Sequence, residues 1–196
     1  MKVLIACEFS GVVRNAFLDR GHDAWSCDLM PALVNPSRMR HLRQDVRPLL
    51  KQRWDLVIAH PPCTYLSKVG ISWLYKENSR WRRMVDGCEF FIECLWANSD
   101  KTCVENPVMH RYARDIVIVP PTQIIQPHEF GHPETKKTCL WLRGLLPLQP
   151  TRLVDGRKDH MDTTTSWKGS GKIRQLRRSI TFQGIADAMA DQWGNS

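Results

Sequence analysis

Short apolar runs alternate with amphipathic segments along the first two-thirds of the chain. The apolar runs predict β-strands over Val3–Ala6, Ala24–Cys27, Leu56–Ala59, Thr102–Glu105, Gln123–Ile125 and Thr138–Leu142. Helices are predicted over Gly11–Asp19, over Trp81–Asn98, where apolar residues recur every three to four positions, and over Ile185–Trp193. This alternation is typical of an α/β fold in which helices flank a mostly parallel sheet.

The composition changes between about Thr151 and Ser179, where apolar residues thin out and Gly, Ser, Thr, Lys and Arg dominate. A stretch without periodicity is either a mobile loop or a segment that becomes ordered on its ligand. We favour the second because its charge is mainly positive and it lies between two well-formed elements. We therefore divide the chain into a core over 1–142, a reduced basic segment over 143–178 and a C-terminal helix over 179–196 that packs back on the core.

The length of 196 residues fits one domain, and the net charge of +8 favours a polyanionic partner. Two basic clusters each include a tryptophan. The first consists of Arg80, Trp81, Arg82 and Arg83, and the second of Trp167, Lys168, Lys172, Arg174, Arg177 and Arg178. Basic residues interleaved with aromatic ones suit phosphate neutralisation and base stacking. A solvated face explains the first cluster equally well.

The sequence contains seven cysteines and no Cys-x-x-Cys pair. An odd count without paired spacing argues against a disulfide framework and a structural zinc site, so we expect no metal and a reducing compartment. No apolar run approaches the roughly 20 residues of a membrane span, and the N-terminus lacks the features of a signal peptide. We therefore expect a cytoplasmic protein with no membrane segment.

Gly11 follows the first predicted strand and opens the first predicted helix. In an open α/β sheet this turn receives a nucleotide-like cofactor, because glycine lets the ligand approach the backbone closely. Asp28 ends the second predicted strand, where it can accept hydrogen bonds from ribose, and Asp45 is placed to meet an adenine amino group. Each aspartate is equally compatible with an ordinary strand cap, and Gly21 with a helix C-cap.

Cys63 follows the strand Leu56–Ala59 after two prolines that stiffen the backbone. A thiol at the carboxyl end of a strand is accessible to substrate, and nearby positive charge activates it as a thiolate. The alternative, a buried core cysteine, is our interpretation of the other six. Glu105 ends another apolar strand, where it either protonates or hydrogen-bonds a ring nitrogen or is a solvated strand end.

The segments Pro61-Pro62-Cys63 and Glu105-Asn106-Pro107 resemble the DNA cytosine-5 methyltransferase family, in which the cysteine is the nucleophile and the glutamate holds the target base. Phe9-Ser10-Gly11 is similar to the cofactor turn of that family, although Val13 replaces its second glycine. Phe130–Thr138 is similar to a further conserved stretch, and the closing helix Gly184–Trp193 looks like that of small phage or prophage members. The large recognition domain is reduced here to about Arg143–Arg178.

The resemblance implies a Rossmann-like, class I fold that binds S-adenosylmethionine and acts on DNA. It implies that Cys63 and Glu105 are catalytic, and that a set of residues around the crevice binds the cofactor, namely Phe9, Ser10, Gly11, Asp28, Leu29, Asp45, Val46 and Pro61. Substrate contacts are then expected from Pro62, Asn106, Lys136 and Thr138 and, in the basic tract, from Lys172, Arg174, Arg177 and Arg178.

The implied reaction adds the Cys63 thiolate to C6 of cytosine and methylates C5, with short or relaxed sequence preference. Two other interpretations stay open. The same chemistry would serve a free cytosine nucleotide, RNA or single-stranded DNA. A nucleic-acid-binding protein that keeps the fold without catalysis is the alternative from a different class.

Overall fold

The computed structural model describes residues 1–33, 40–155 and 176–195. Within these ranges, seven strands form one sheet in the order β3-β2-β1-β4-β5-β7-β6. The strands are β1 (Lys2–Ala6), β2 (Asp23–Asp28), β3 (His41–Arg43), β4 (Trp54–Ala59), β5 (Ser99–Pro107), β6 (Gln123–Ile125) and β7 (Thr138–Arg143). The strands from β3 to β5 pair in parallel, and β7 is antiparallel to both its neighbours. The predicted α/β fold with a mostly parallel sheet is confirmed.

Helices cover both faces of this sheet. They are α1 (Val12–Asp19), α2 (Arg47–Leu50), α3 (Ser79–Leu95), α4 (Arg111–Val117) and α5 (Gln183–Gly194), with 3-10 turns at Lys68–Trp73 and Pro127–Glu129. Side chains alternate between the two faces of a strand, so Val3 and Ile5 of β1 pack with α1 and α5. Leu4 and Ala6 pack on the opposite face, with α2, α3 and α4.

Gly21 ends α1, as its predicted C-cap role requires. It has a φ of 81°, its N–H donates to the Leu18 carbonyl at 3.0 Å, and the next N–H, of His22, donates to the Phe17 carbonyl at 3.1 Å. These two bonds form a Schellman motif, which satisfies carbonyls at the end of the helix and turns the chain into β2.

The helix predicted over Trp81–Asn98 starts two residues earlier and ends at Leu95. The residues that follow leave the helix and form hydrogen bonds with α2 and β4. The Asn98 N–H donates to the Leu50 carbonyl, and the Asn98 carbonyl accepts from Trp54 N–H. The short elements β3, α2 and α4 were not predicted.

The order in which strands are added to the sheet reverses between β1 and β4. The strands β2 and β3 lie on one side of β1, and β5 lies on the far side of β4. The carboxyl ends of β1, β4 and β5 therefore surround a crevice at the switch point, where open α/β sheets bind ligands. The residues just after β1 and β4 and the last residues of β5 form the site described below.

Candidate active site

A buried carboxylate fills the turn between β1 and α1. Glu8 Oε1 accepts from Val13 N–H at 2.7 Å and from the Ser10 hydroxyl at 3.2 Å, and Oε2 accepts from Arg14 N–H at 3.3 Å. Gly11 opens the helix with a φ of 76°, and a Cβ there would lie 2.4 Å from the Arg14 guanidinium. The first N–H groups of α1, an ordinary anion site, are thus occupied by the protein itself.

Glu8 has a raised pKa. Burial is the main cause, because it disfavours the charged form. The charge of His60 and the N–H groups of Val13 and Arg14 oppose this effect without overcoming it.

The predicted cofactor residues differ in exposure. Phe9, Ser10, Val46 and Pro61 are buried, whereas Leu29 is 73% exposed at the end of β2. Asp28 accepts from Met30 N–H at 2.8 Å. The Asp45 carboxylate accepts from Arg47 N–H at 2.9 Å and pairs with its guanidinium at 3.0 Å.

The loop that carries Cys63 is tied to β5. The buried Asn106 side chain donates to the Pro61 carbonyl at 3.0 Å, while Pro62 is exposed and Cys63 half-buried. The Cys63 carbonyl accepts the N–H groups of Leu66 and Ser67 at 3.0 Å each, which turns the chain back immediately after the cysteine.

Glu105 forms an ion pair with His60. The parallel register that pairs Ala59 of β4 with Val104 of β5 brings the next two residues side by side. His60 Nδ1 lies 2.7 Å from Glu105 Oε2, and the two side chains are only 10% and 12% exposed. The Thr181 hydroxyl donates to the same oxygen at 3.5 Å.

The pKa of Glu105 is lowered to about 2. Burial alone would raise it, but the hydrogen bond and charge of His60 outweigh burial, with help from Lys136 and Thr181. The carboxylate is therefore ionised at neutral pH.

Lys136 lies among these groups. Its charge lowers the pKa values of both Cys63 and Glu105, and its Nζ donates to the Arg178 carbonyl at 2.9 Å. Thr138 is buried, and its hydroxyl donates to the Lys136 carbonyl at 3.1 Å. Arg177 is exposed, and Lys172 and Arg174 lie outside the described residues.

The sequence led us to expect a Cys63 thiolate favoured by nearby positive charge. Burial instead raises the pKa of the Cys63 thiol and outweighs the opposing effects of Lys136, Arg178 and the cysteine's own N–H. The thiol is consequently protonated in the free protein at neutral pH.

The first basic cluster lies on α3, close to the chain that follows Cys63. The Arg80 guanidinium stacks over the ring of Tyr65 at 4.9 Å, and Arg83 donates to its hydroxyl at 3.3 Å. Trp81 packs edge-on against Tyr112, with ring centroids 5.0 Å apart. Arg82 forms an ion pair with Asp86.

Three functional side chains were missed by sequence reasoning: Glu8, His60 and Thr181. The first two adjoin motifs that were recognised, since Glu8 precedes Phe9-Ser10-Gly11 and His60 precedes Pro61-Pro62-Cys63. That adjacency was the available signal. Thr181 lies 76 positions from Glu105 in the sequence, and no local pattern marks it.

Two further observations concern the described residues as a whole. They contain no group of three or more His, Cys, Asp or Glu side chains placed to hold a metal ion. In the same ranges, no helix combines the length and apolar character that crossing a membrane requires.

Similarity to known proteins is found at the level of structure. Neither a family model nor a curated protein matches the sequence. The fold is similar to that of a proposed DNA modification methyltransferase encoded within an E. coli prophage, with a TM-score of 0.51 and 14% identity over 78% of this chain and 51% of that one. At this identity the likeness shows a shared fold.

A second solved structure, the Entamoeba histolytica methyltransferase EhMeth, gives a TM-score of 0.45 and 12% identity over 80% of this chain and 57% of that one. This score is too low to support an argument. The chain spans just over half the length of both structures.

Proposed function

We propose that this protein is an S-adenosylmethionine-dependent DNA methyltransferase that methylates C5 of cytosine through a bond between Cys63 and C6. The observation that carries the proposal is the juxtaposition at the switch point. Cys63 follows β4 after two prolines, Glu105 stands on the adjacent strand, and Lys136 acts on both. The methyltransferase-like fold supports the same reaction class.

The crevice fits a cationic cofactor better than a dinucleotide. A dinucleotide places its pyrophosphate on the N–H groups that open the first helix, but Glu8 already accepts from two of them. With these N–H groups taken, the turn offers no donors to a phosphate, whereas a sulfonium needs none. S-adenosylmethionine, when bound, supplies an electrophilic methyl group.

The residues that would hold this cofactor follow from their positions. The backbone from Phe9 to Gly11 would line the turn, Asp28 would accept from the ribose hydroxyls, and the exposed Leu29 would cover the adenine. Asp45 would bind the adenine amino group after releasing Arg47. That exchange is inexpensive, because exposed ion pairs contribute only about 0–1 kcal/mol.

Cys63 and Glu105 would divide the work on the base. The Cys63 thiol gives its proton to solvent and Sγ bonds to C6. The C5=C6 electron pair then moves to C4–C5, the C4=N3 pair moves to N3, and N3 takes a proton that is delivered through the Glu105 carboxylate. C5 then takes the methyl group, and its proton passes to a water molecule that acts as the base. Release of the thiolate restores C5=C6, and N3 returns its proton, so the cysteine and the acid are regenerated. Lys136 and Arg178 favour the thiolate by charge.

DNA is the proposed substrate because the chain carries a net charge of +8 and arginines line the chain after Cys63. A duplex must release the target base from its stack, at a cost of a few kcal/mol. We propose 143–178 as the recognition segment, and its small size favours a short or relaxed target sequence.

The decisive test is incubation with labelled S-adenosylmethionine and DNA, followed by mapping of 5-methylcytosine at base resolution. Cys63→Ala is expected to abolish incorporation, and the buried Cys88→Ala serves as a matched control. With 5-fluorocytosine in the DNA, the covalent adduct should persist, because C5 then carries fluorine in place of the hydrogen that must be lost before Cys63 is released. Incorporation unaffected by Cys63→Ala would refute the mechanism.

The small size of the recognition segment also favours a second substrate class, namely single-stranded DNA, RNA or a free cytosine nucleotide. Equal concentrations of duplex, single strand, RNA and dCMP in the same assay distinguish these substrates. A non-catalytic nucleic-acid-binding protein would bind DNA without binding S-adenosylmethionine, and calorimetry with the cofactor alone separates that case.

A further inference from the structure

His60 is a buried side chain to which the reaction above assigns no task. The backbone N–H of His60 donates to the Ala6 carbonyl at 2.9 Å, which fixes His60 at the switch point between β1 and β4. Its Nδ1 lies 2.7 Å from Glu105 Oε2. Nε2 is buried and has no hydrogen-bond partner among the described residues.

Ionisable groups from three parts of the fold face the ring. Glu8 comes from the β1–α1 turn, Glu105 from β5 and Lys136 from the chain before β7. Burial lowers the pKa of His60, and Lys136 lowers it further, but Glu105 and Glu8 outweigh both, so the net shift is upward. Arg14 acts on Glu8, and Thr181 acts on Glu105.

The hydrogen between His60 and Glu105 has a defined position. Glu105 is ionised because its pKa is about 2, so its oxygen accepts and His60 Nδ1 carries the hydrogen. In the imidazolium form, which the upward shift of the His60 pKa favours, the pair holds one dissociable proton on the imidazole side. An ionised carboxylate has no proton to give, yet the proposed reaction requires one at N3 of cytosine.

We propose that His60 stores the proton that Glu105 passes to N3, which makes His60 a positioning residue for the proposed function and rests on it. The proton would move through the 2.7 Å contact between His60 Nδ1 and Glu105 Oε2. This contact joins the proposed base-binding glutamate to the residue immediately before Pro61-Pro62-Cys63.

The proton balance closes over one turnover. The Nδ1–H bond of His60 breaks as Glu105 takes the proton, and the Glu105 O–H bond breaks as N3 takes it. His60 is then neutral and Glu105 is again a carboxylate. When the thiolate leaves C6 and the ring regains aromaticity, N3 returns the proton by the same path.

The first test is the pH profile of methyl transfer for wild type and His60→Asn. The asparagine amide keeps a donor near the Nδ1 position and carries no dissociable proton, so it preserves positioning and removes storage. We expect activity to fall at least about tenfold at pH 8, since proton donation contributes about 10²–10⁴-fold, and to recover in part towards pH 6. A His60→Asn profile that matches wild type would overturn the proposal.

The second test requires no activity. A ¹⁵N-histidine NMR titration of wild type, with His60→Asn to assign the resonance, should give a His60 midpoint above that of an exposed histidine. In Glu105→Gln the midpoint should fall, because burial then acts with less opposition. An unchanged midpoint would contradict the proposed proton exchange between His60 and Glu105. Failure of the wild type to methylate any cytosine substrate would contradict the proposed function without affecting the NMR result.

Discussion

Two buried glutamates on either side of His60 respond to similar burial in opposite ways. Glu8 in the β1–α1 turn has a raised pKa, and Glu105 at the end of β5 has a pKa lowered to about 2. Glu8 is hydrogen-bonded to backbone N–H groups and a hydroxyl, which are neutral donors. Glu105 is bonded directly to the His60 imidazole, and this hydrogen bond and the charge of the protonated ring lower its pKa.

The difference shows what each carboxylate is suited to do. With neutral donors as its hydrogen-bond partners, burial has the larger effect on the pKa of Glu8 and raises it. Glu8 is therefore suited to accept hydrogen bonds from the N-terminus of α1. The hydrogen bond and charge of His60 outweigh burial, so Glu105 is held as an anion. Charge at the nearest partner, more than depth, sets the ionisation of a carboxylate in this crevice.

The largest expected effect comes from breaking the Glu105 side of the comparison. Glu105→Gln keeps the size of the side chain and removes its ability to pass on a proton. We expect methyl transfer to fall about 10²–10⁴-fold, measured as kcat on a cytosine-containing duplex. The exposed Glu89→Gln on α3 is the matched control, and equal rates in the two variants would contradict the assignment.

The second effect concerns how the free energy of unfolding depends on pH. The contribution of Glu105 should increase as pH rises, and that of Glu8 should decrease. A carboxyl with a depressed pKa stabilises the fold above its unfolded value of 4.5, and this is lost as pH falls towards 2. For Glu105 the loss amounts to about 3 kcal/mol. Glu8, with its raised pKa, stabilises the fold below 4.5 and loses this as pH rises through its folded value.

Urea unfolding of wild type, Glu105→Gln and Glu8→Gln between pH 2 and 7 measures both contributions. The deficit of Glu105→Gln should grow with rising pH, and that of Glu8→Gln should shrink. Deficits that change in the same direction would remove the contrast between the two sites.

A smaller effect is expected in the Glu8 turn. Gly11→Ala places a Cβ in the left-handed region and 2.4 Å from the Arg14 guanidinium, whereas Gly21→Ala, also left-handed, meets no atom within 4 Å. Strain alone costs about 1–2 kcal/mol, so Gly11→Ala should lower the free energy of unfolding by more than Gly21→Ala does. Only Gly11→Ala should weaken binding of S-adenosylmethionine. Equal losses would show that the Arg14 contact is easily relieved.

The smallest effect isolates the charge of Lys136, which lowers the pKa values of Glu105 and Cys63. Lys136→Met keeps the aliphatic stem and removes the ammonium, so the pKa of Cys63 should rise further. Alkylation of Cys63 by iodoacetamide at pH 8 should slow about two- to fivefold, because the thiolate is the reactive form. Lys137→Met, its exposed neighbour, is the control, and equal rates in the two would exclude Lys136 as the source.

The sequence predicted most strands because each apolar run ends at a turn residue, a local property. It did not predict α4, because His110 caps that helix with ring Nδ1, which accepts from Ala113 N–H at 3.2 Å. Histidine is not among the usual N-cap residues. The three-residue β3 is too short to show any period.

The sequence singled out Cys63 and Glu105 as candidates because both belong to motifs. The ion pair was not predictable, because it depends on the register between β4 and β5, and a slip of one residue would turn Glu105 to the other face. The raised pKa of Cys63 was also hidden, since burial is a property of the packed fold.

The contact from Thr181 to Glu105 has a consequence for how the protein is made. Ribosomal synthesis runs from the N-terminus, so β1, β4 and β5 are complete before the partner hydroxyl leaves the exit tunnel. A nascent chain halted near residue 175 would present a folded sheet with Glu105 still missing one donor and α1 uncovered by α5. The Glu105 carboxylate thus acquires its contact with the Thr181 hydroxyl only when the segment that carries α5 docks on the sheet.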